Sequence, residues 1–244
     1  MSINISKIKE KIKKGFTQHD SLNPDFFDGD KIKPNVRKQL IKIADEFIDF
    51  LGISDIDFED ITITGSLANY NWNLYSDVDL HVIFNFDDVD ENEDLVTEFF
   101  MAKKSLWNQD HDIKIYGYDV ELYGQNAKEP HHSTGVYSIL NNEWVVKPKP
   151  EKYKLESNKL VKKSKYFMKI IDDIINLDDN EEKKIQLIDK MKNKIKKYRQ
   201  SGLERCGEFS EENMVFKILR RMEYLDKLSD VKHDLIDKNL SLPE

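Results

Sequence analysis

The sequence predicts an α+β protein: a mixed β-sheet flanked by helices, followed by a C-terminal helical domain. Three observations carry this expectation. Strand-like alternation is concentrated in residues 61–150. An amphipathic helical run lies ahead of it. Everything after Pro150 is rich in Lys, Glu, Leu and Ile at helical spacing, without strand signals. With 244 residues, the chain is long enough for one large or two small domains and for a sizeable core without disulfide staples. Pro148 and Pro150 each disfavour helix in the preceding residue, so the boundary is expected there: a domain of residues 1–150, including N-terminal helices, and a helical domain of residues 151–244.

Pro34 opens the first helix, in which Val36, Leu40, Ile41, Ile43, Ala44, Phe47, Ile48 and Leu51 recur at helical spacing until Gly52 stops it. Residues 61–64 are a short β-branched strand ending at Gly65-Ser66. After a loop or helical turn, residues 77–84 alternate with period two. Residues 93–108 place Leu95, Phe99, Phe100, Ala102, Leu106 and Trp107 at helical spacing. Two strand-like runs, 112–116 and 118–123, meet around Gly117. A hairpin is predicted from residues 136–140 through Asn141-Asn142 to residues 144–146, because paired asparagines tolerate the positive φ of tight turns. Helices of about residues 152–177, 181–198 and 211–228 complete the chain. Their stripes, such as Ile170, Ile171, Ile174 and Ile175, read as packing of a helical bundle.

Composition narrows the functional classes. The 9 Gly and 6 Pro exclude collagenous and low-complexity chains, and 11% aromatic residues argue against disorder. The single cysteine, Cys206, can form neither an internal disulfide nor a Cys-based zinc site, which fits a reducing compartment. No apolar run approaches the roughly 20 residues needed to cross a bilayer, and the first fifteen residues lack the apolar block of a signal peptide, so an unprocessed cytoplasmic protein with no membrane partner is expected. Thirty-eight basic against 46 acidic residues give a formal charge of −8, which disfavours long nucleic acids as partners. The basic clusters at residues 162–165 and 192–199 read as solvated helix faces.

The chemistry is concentrated in residues 65–80. A Gly-Ser turn ends one strand and, after a ten-residue spacer, Asp77-Val78-Asp79-Leu80 opens another. Strand residues two apart share a face with α-carbons about 6.7 Å apart, so Asp77 and Asp79 project together while Val78, Leu80 and Val82 face a core. Paired carboxylates repel unless a cation lies between them. A divalent metal with hard oxygen ligands, Mg2+ or Mn2+, compensates, and two ions about 3.5–4 Å apart are the standard apparatus for in-line phosphoryl displacement. A Gly-Ser turn entering a helix would offer N–H groups and a hydroxyl to phosphates. A third carboxylate is expected on a neighbouring strand. Asp119 and Glu121 share a face there, and Glu121 is favoured because Val120 and Leu122 flank it.

These residues resemble the DNA polymerase β-type nucleotidyltransferase superfamily. Its signature is hydrophobic-Gly-Ser, a spacer, Asp-hydrophobic-Asp-hydrophobic and a later strand carboxylate. The resemblance covers about residues 61–123. The segments Asn69-Tyr70-Asn71-Trp72, Ser133-Thr134-Gly135-Val136-Tyr137 and Gly207-Glu208-Phe209-Ser210 are similar to nucleotidyltransferase-like proteins of tailed phages, which would make the compartment a host cytoplasm. Asn69-Tyr70 stands where minimal nucleotidyltransferases usually carry Arg-Gly, so the substrates of that subgroup are not carried over. The resemblance implies a nucleotidyltransferase-like fold and an NTP donor. It implies two metal ions held by Asp77, Asp79 and Glu121, with Gly65 and Ser66 on the β- and γ-phosphates. An acceptor oxygen would attack the α-phosphorus, with pyrophosphate leaving. The acceptor is open among a small molecule, a protein side chain, an RNA end and a second nucleotide.

Lys217, an i,i+4 neighbour of Arg221 on a helix capped by Ser210, is the candidate basic contact to the triphosphate, because members of this superfamily commonly supply one from a C-terminal helical domain. His81 shares the aspartate face and reads as packed beneath the site. Tyr70 and Trp72 could stack on a base or simply pack over the sheet. His131-His132 is read as a surface loop. Two other readings stand beside the enzyme: a non-catalytic nucleotide-binding, structural or regulatory protein with the same fold, and a partner-binding module formed by the Lys-rich helices.

Overall fold

The computed structural model describes residues 3–53, 56–131, 133–150, 153–178 and 180–242. The chain divides into two compact units, residues 14–152 and residues 1–13 with 153–244. The first thirteen residues therefore group with the C-terminal helices, and not with the β-rich segment where the sequence reading put them. Lys152, the expected start of a helix, lies outside the described residues.

In the larger unit, a two-stranded hairpin, β1 (Phe27–Asp28) and β2 (Lys31–Ile32), precedes helix α2 (Pro34–Leu51). The helix α1 (Ile5–Gly15) comes before both in the chain. Helix α2 has Pro34 in its first turn, buries Val36, Leu40, Ile43, Ala44, Phe47 and Leu51, and ends where Gly52 turns left-handed at φ +72°. A six-stranded sheet follows: β3 (Phe58–Thr64), β4 (Val78–Phe84), β5 (Lys114–Ile115), β6 (Tyr118–Asn126), β7 (Val136–Ser138) and β8 (Glu143–Val146). Their spatial order is β5-β6-β4-β3-β7-β8. The sheet is mixed: β4 and β6 run parallel, and the other neighbours are antiparallel.

A parallel pair needs a long crossover, supplied mainly by α3 (Glu93–Asp110). Asn92 caps it by accepting from the Leu95 N–H at 3.2 Å, and Glu93 and Asp94 complement its N-terminal dipole. The helix buries Val96, Phe100 and Trp107, and Trp107 meets Phe47 of α2 edge-on at 5.6 Å. Leu95 and Leu106, counted in its apolar stripe from sequence, are exposed.

Register separates the two faces of the sheet. Ile61, Ile63, Leu80, Val82 and Leu122 are fully buried in one core with Leu40 and Phe47 of α2. Thr64, Asp79 and Glu121 align across β3, β4 and β6 on the other face, as do Thr62, His81 and Tyr123. The turn after β5 takes Tyr116 and Gly117 at positive φ, and Asn142 does the same in the β7–β8 hairpin.

The helical unit contains α1, α4 (Ser157–Ile175), α5 (Glu181–Cys206), α6 (Glu211–Arg221) and α7 (Tyr224–Leu240). Ile8 and Ile12, Val161, Phe167, Met168 and Ile171, Ile188, Met191 and Ile195, and Val215, Ile218 and Leu219 are buried. The single helix expected over residues 211–228 is two, because Glu223 breaks it in a left-handed conformation at φ +63°. Helix α5 continues past Tyr198 through Gly202, where a Cβ would lie 2.6 Å from the Glu212 Cβ. Glycine there lets the α6 end approach closely. Among the described residues, no helix is long and apolar enough to cross a membrane.

Candidate active site

Strand β3 ends at Gly65, and two constraints require glycine there. Its φ is +71°, and a Cβ would stand 1.9 Å from Oδ2 of Asp79. The bend therefore lies directly against the β4 carboxylate. Its N–H donates to Ser133 Oγ at 3.4 Å. The Ser66 and Ser76 hydroxyls share a 2.7 Å hydrogen bond, and Ser76 Oγ also accepts from the Asn73 N–H at 2.9 Å. This clasp closes the ten-residue excursion and delivers the chain to Asp77.

The excursion is a chain of turns, not the helix that the expected phosphate grip would use. Asparagine side chains explain this by bonding nearby backbone in place of a helical ladder. Asn69 Oδ1 accepts from the Tyr70 N–H at 2.7 Å, Asn73 Oδ1 from the Tyr75 N–H at 2.9 Å, and Asn73 Nδ2 donates to Asn71 O. The helix-dipole contribution expected at the bend is therefore absent, leaving local N–H groups and hydroxyls.

Asp79 and Glu121 sit side by side across the parallel β4–β6 pair, and Asp77 lies one residue ahead of β4. One carboxylate oxygen from each of the three lies within 4.8 Å of the other two, and all three residues are half-buried. Among the described residues, no other group of three His, Cys, Asp or Glu side chains brings ligand atoms this close. Three negative charges at such spacing repel strongly unless a cation joins them. The donor set is all carboxylate oxygen and suits a hard divalent ion, so these residues fit Mg2+ or Mn2+. Asp119, the alternative third carboxylate, is exposed and ion-paired to Lys114 at 2.5 Å in the β5–β6 hairpin.

Around the cluster lie groups that the sequence reading did not single out. The Tyr123 hydroxyl donates to Glu121 Oε2 at 2.6 Å. Burial, then the Asp79 charge and the bond to Glu121, hold its phenol well above the usual range, so it stays a donor. Lys104 of α3 places its ammonium 3.6 Å from the Tyr123 ring centroid. Burial pulls its pKa down, opposed by the charges of Glu121, Asp79 and Asp77. Tyr123 was open to detection, since it follows Glu121 by one strand period. Lys104 is one of two adjacent lysines on α3, and nothing in the sequence sets it apart from Lys103.

His81 stacks on Tyr123 at 4.6 Å and shares a 3.2 Å hydrogen bond with Thr64 Oγ1. Burial lowers its pKa to about 4 against a raising hydrogen bond from Gln125, with the Lys104 and His131 charges lowering it further, so it is neutral near pH 7. It lies beneath the acidic cluster and outside the group of close ligand atoms. Trp72 stacks on His19 at 3.6 Å and donates to Ser21 O, and Tyr70 packs against the core. His131 is exposed, and His132 lies outside the described residues. Lys217 is half-buried on α6 of the helical unit, whose N-terminus Ser210 caps by accepting from the Asn213 N–H. Cys206 is exposed at the end of α5.

No protein-family model matches the chain, and no curated protein does. Among solved structures, a STING-associated CdnE c-di-GMP synthase from Capnocytophaga granulosa is 15% identical, with 97% of this chain and 100% of that chain covered and a TM-score of 0.22. At that score no conclusion about this chain follows from the likeness.

Proposed function

We propose that this protein is a metal-dependent nucleotidyltransferase, moving a nucleoside monophosphate from an NTP to a hydroxyl acceptor with release of pyrophosphate. The observation that carries the reading is the convergence of Asp77, Asp79 and Glu121 beside the Gly65 bend. The three carboxylates would hold Mg2+ or Mn2+, which when bound neutralises phosphate charge and acidifies the attacking hydroxyl. Gly65 and Ser66 would receive the β- and γ-phosphates, a role taken from the sequence resemblance. Tyr123 fixes Glu121 by engaging Oε2, and the other carboxylate oxygen takes the hydroxyl proton. The acceptor oxygen forms its bond to the α-phosphorus as the bond to the bridging oxygen breaks, and pyrophosphate carries away the electron pair. Lys217 is kept as a nucleotide contact on the strength of the sequence resemblance alone.

The test is incubation of the full chain with α-labelled NTPs, Mg2+ or Mn2+ and a cell lysate. Label should pass to an acceptor, and Asp77→Asn and Asp79→Asn should each reduce transfer by at least 100-fold with the fold intact by circular dichroism. Metal-dependent nucleotide binding without transfer would contradict the enzyme and leave a nucleotide-binding protein.

A further inference from the structure

Beside the acidic cluster, between α3 and the part of β6 beyond its pairing with β5, lies a cavity of about 660 Å³. Its size is that of a small-molecule site, for which about 300–1,000 Å³ is usual. We propose that this cavity is the acceptor site and that it takes an uncharged molecule carrying a planar ring and a free hydroxyl. The assignment rests on the nucleotidyltransferase reading above.

Position is the first reason. Glu121 and Tyr123 are among the residues lining the cavity, so a hydroxyl on its occupant would reach the carboxylate that would take the proton. The second is shape and polarity. Phe86 and Phe100, stacked at 4.7 Å and 11° and almost fully buried, back the cavity from the core, and Met101 adds an exposed apolar wall. A lining that joins apolar surface to a few polar groups suits a neutral small molecule.

The strand edge supplies the third reason. On β6, Val120 donates outward to Ile113 O at 2.9 Å, and Leu122 is bonded outward at both its N–H and its C=O by the Asn108 side chain. Strand alternation turns the N–H and C=O of Gly124 the same way, at the cavity wall. A Cβ on Gly124 would lie 2.2 Å from the Phe100 ring, so that buried ring packs against the backbone only because this residue is glycine. A donor and an acceptor side by side on one wall of the cavity match the edge of a planar heterocycle.

Charge excludes the alternatives. Lys104 is the one basic residue lining the cavity among the described residues, and it already lies over Tyr123 in the field of three carboxylates. A phosphate-bearing acceptor, and a nucleic acid strand above all, finds no surplus positive charge there.

Saturation-transfer NMR on the full chain tests this, with MgATP present to occupy the donor site. The probes are p-nitrophenyl β-D-glucopyranoside and adenosine, with a single-stranded oligodeoxynucleotide as the charged comparison. Ser105→Trp and Thr97→Trp fill the cavity from α3, and Asp79→Asn serves as a control. Wild type and Asp79→Asn should give saturation transfer to at least one uncharged probe, reduced at least fivefold in each filling variant that remains folded by circular dichroism. No signal in wild type, equal signal in the filled variants, or an oligonucleotide signal lost on filling would overturn the assignment. Because Asp79→Asn separates probe binding from label transfer, failure of the acceptor site and failure of the catalytic reading give different results.

Discussion

At the scale of single residues, Gly65 and Asp79 are bound to each other by space. Alanine at 65 would combine a strained positive φ with a collision into the Asp79 carboxylate, and should lower stability by about 1–3 kcal/mol. The same change should reduce label transfer at least 100-fold, measured beside thermal denaturation. Asp79→Asn should behave differently. Without metal, three carboxylates oppose one another, so removing one charge should raise stability in EDTA by on the order of 1 kcal/mol while abolishing transfer. Denaturant melts in EDTA and in Mg2+ check this: Mg2+ should stabilise wild type and leave the variant almost unmoved. The pairing of Asp77 with Asp79 was readable because strand period fixes it. The apolar flanks Val120 and Leu122 favoured Glu121 over Asp119 in the sequence; the β4–β6 register and the Lys114 ion pair are further differences that alternation alone does not contain.

At the scale of elements, the join of α6 to α7 offers a clean case. Glu223 is exposed and left-handed, so Glu223→Gly removes Cβ strain without loss of packing and should stabilise the helical unit by about 1 kcal/mol in urea unfolding. A loss of stability would show that the side chain contributes there. That break was not legible, because Phe216, Leu219 and Leu228 continue a helical rhythm through it and nothing in Met222-Glu223 marks a stop. Helix α2 was legible from its proline, stripe and glycine, and β4 from its alternation. Residues 67–76 were not, since their form depends on asparagine side chains folding back on their own backbone and on a Ser66–Ser76 bond across ten positions. The short β1–β2 hairpin depends on tertiary partners such as Tyr137 and Trp144, which ring against Phe27.

At the scale of the whole molecule, the α+β architecture followed from where strand and helix patterns fall along the chain, whereas the grouping of residues 1–13 with the C-terminal helices did not, because Ile8 and Ile12 find their partners far away in sequence. The acidic excess is a global property with a local counterpart: a chain of net charge −8 gathers three carboxylates at one point, with the half-buried Lys104 in their field. Such an all-oxygen donor set suits a divalent cation. Electron paramagnetic resonance of Mn2+ titrated into the full chain measures this directly. Wild type should bind the ion, with affinity falling at least tenfold in Asp79→Asn and in Glu121→Gln and unchanged in Asp119→Asn. Binding that is absent from wild type, or indifferent to Asp79 and Glu121, would contradict the account.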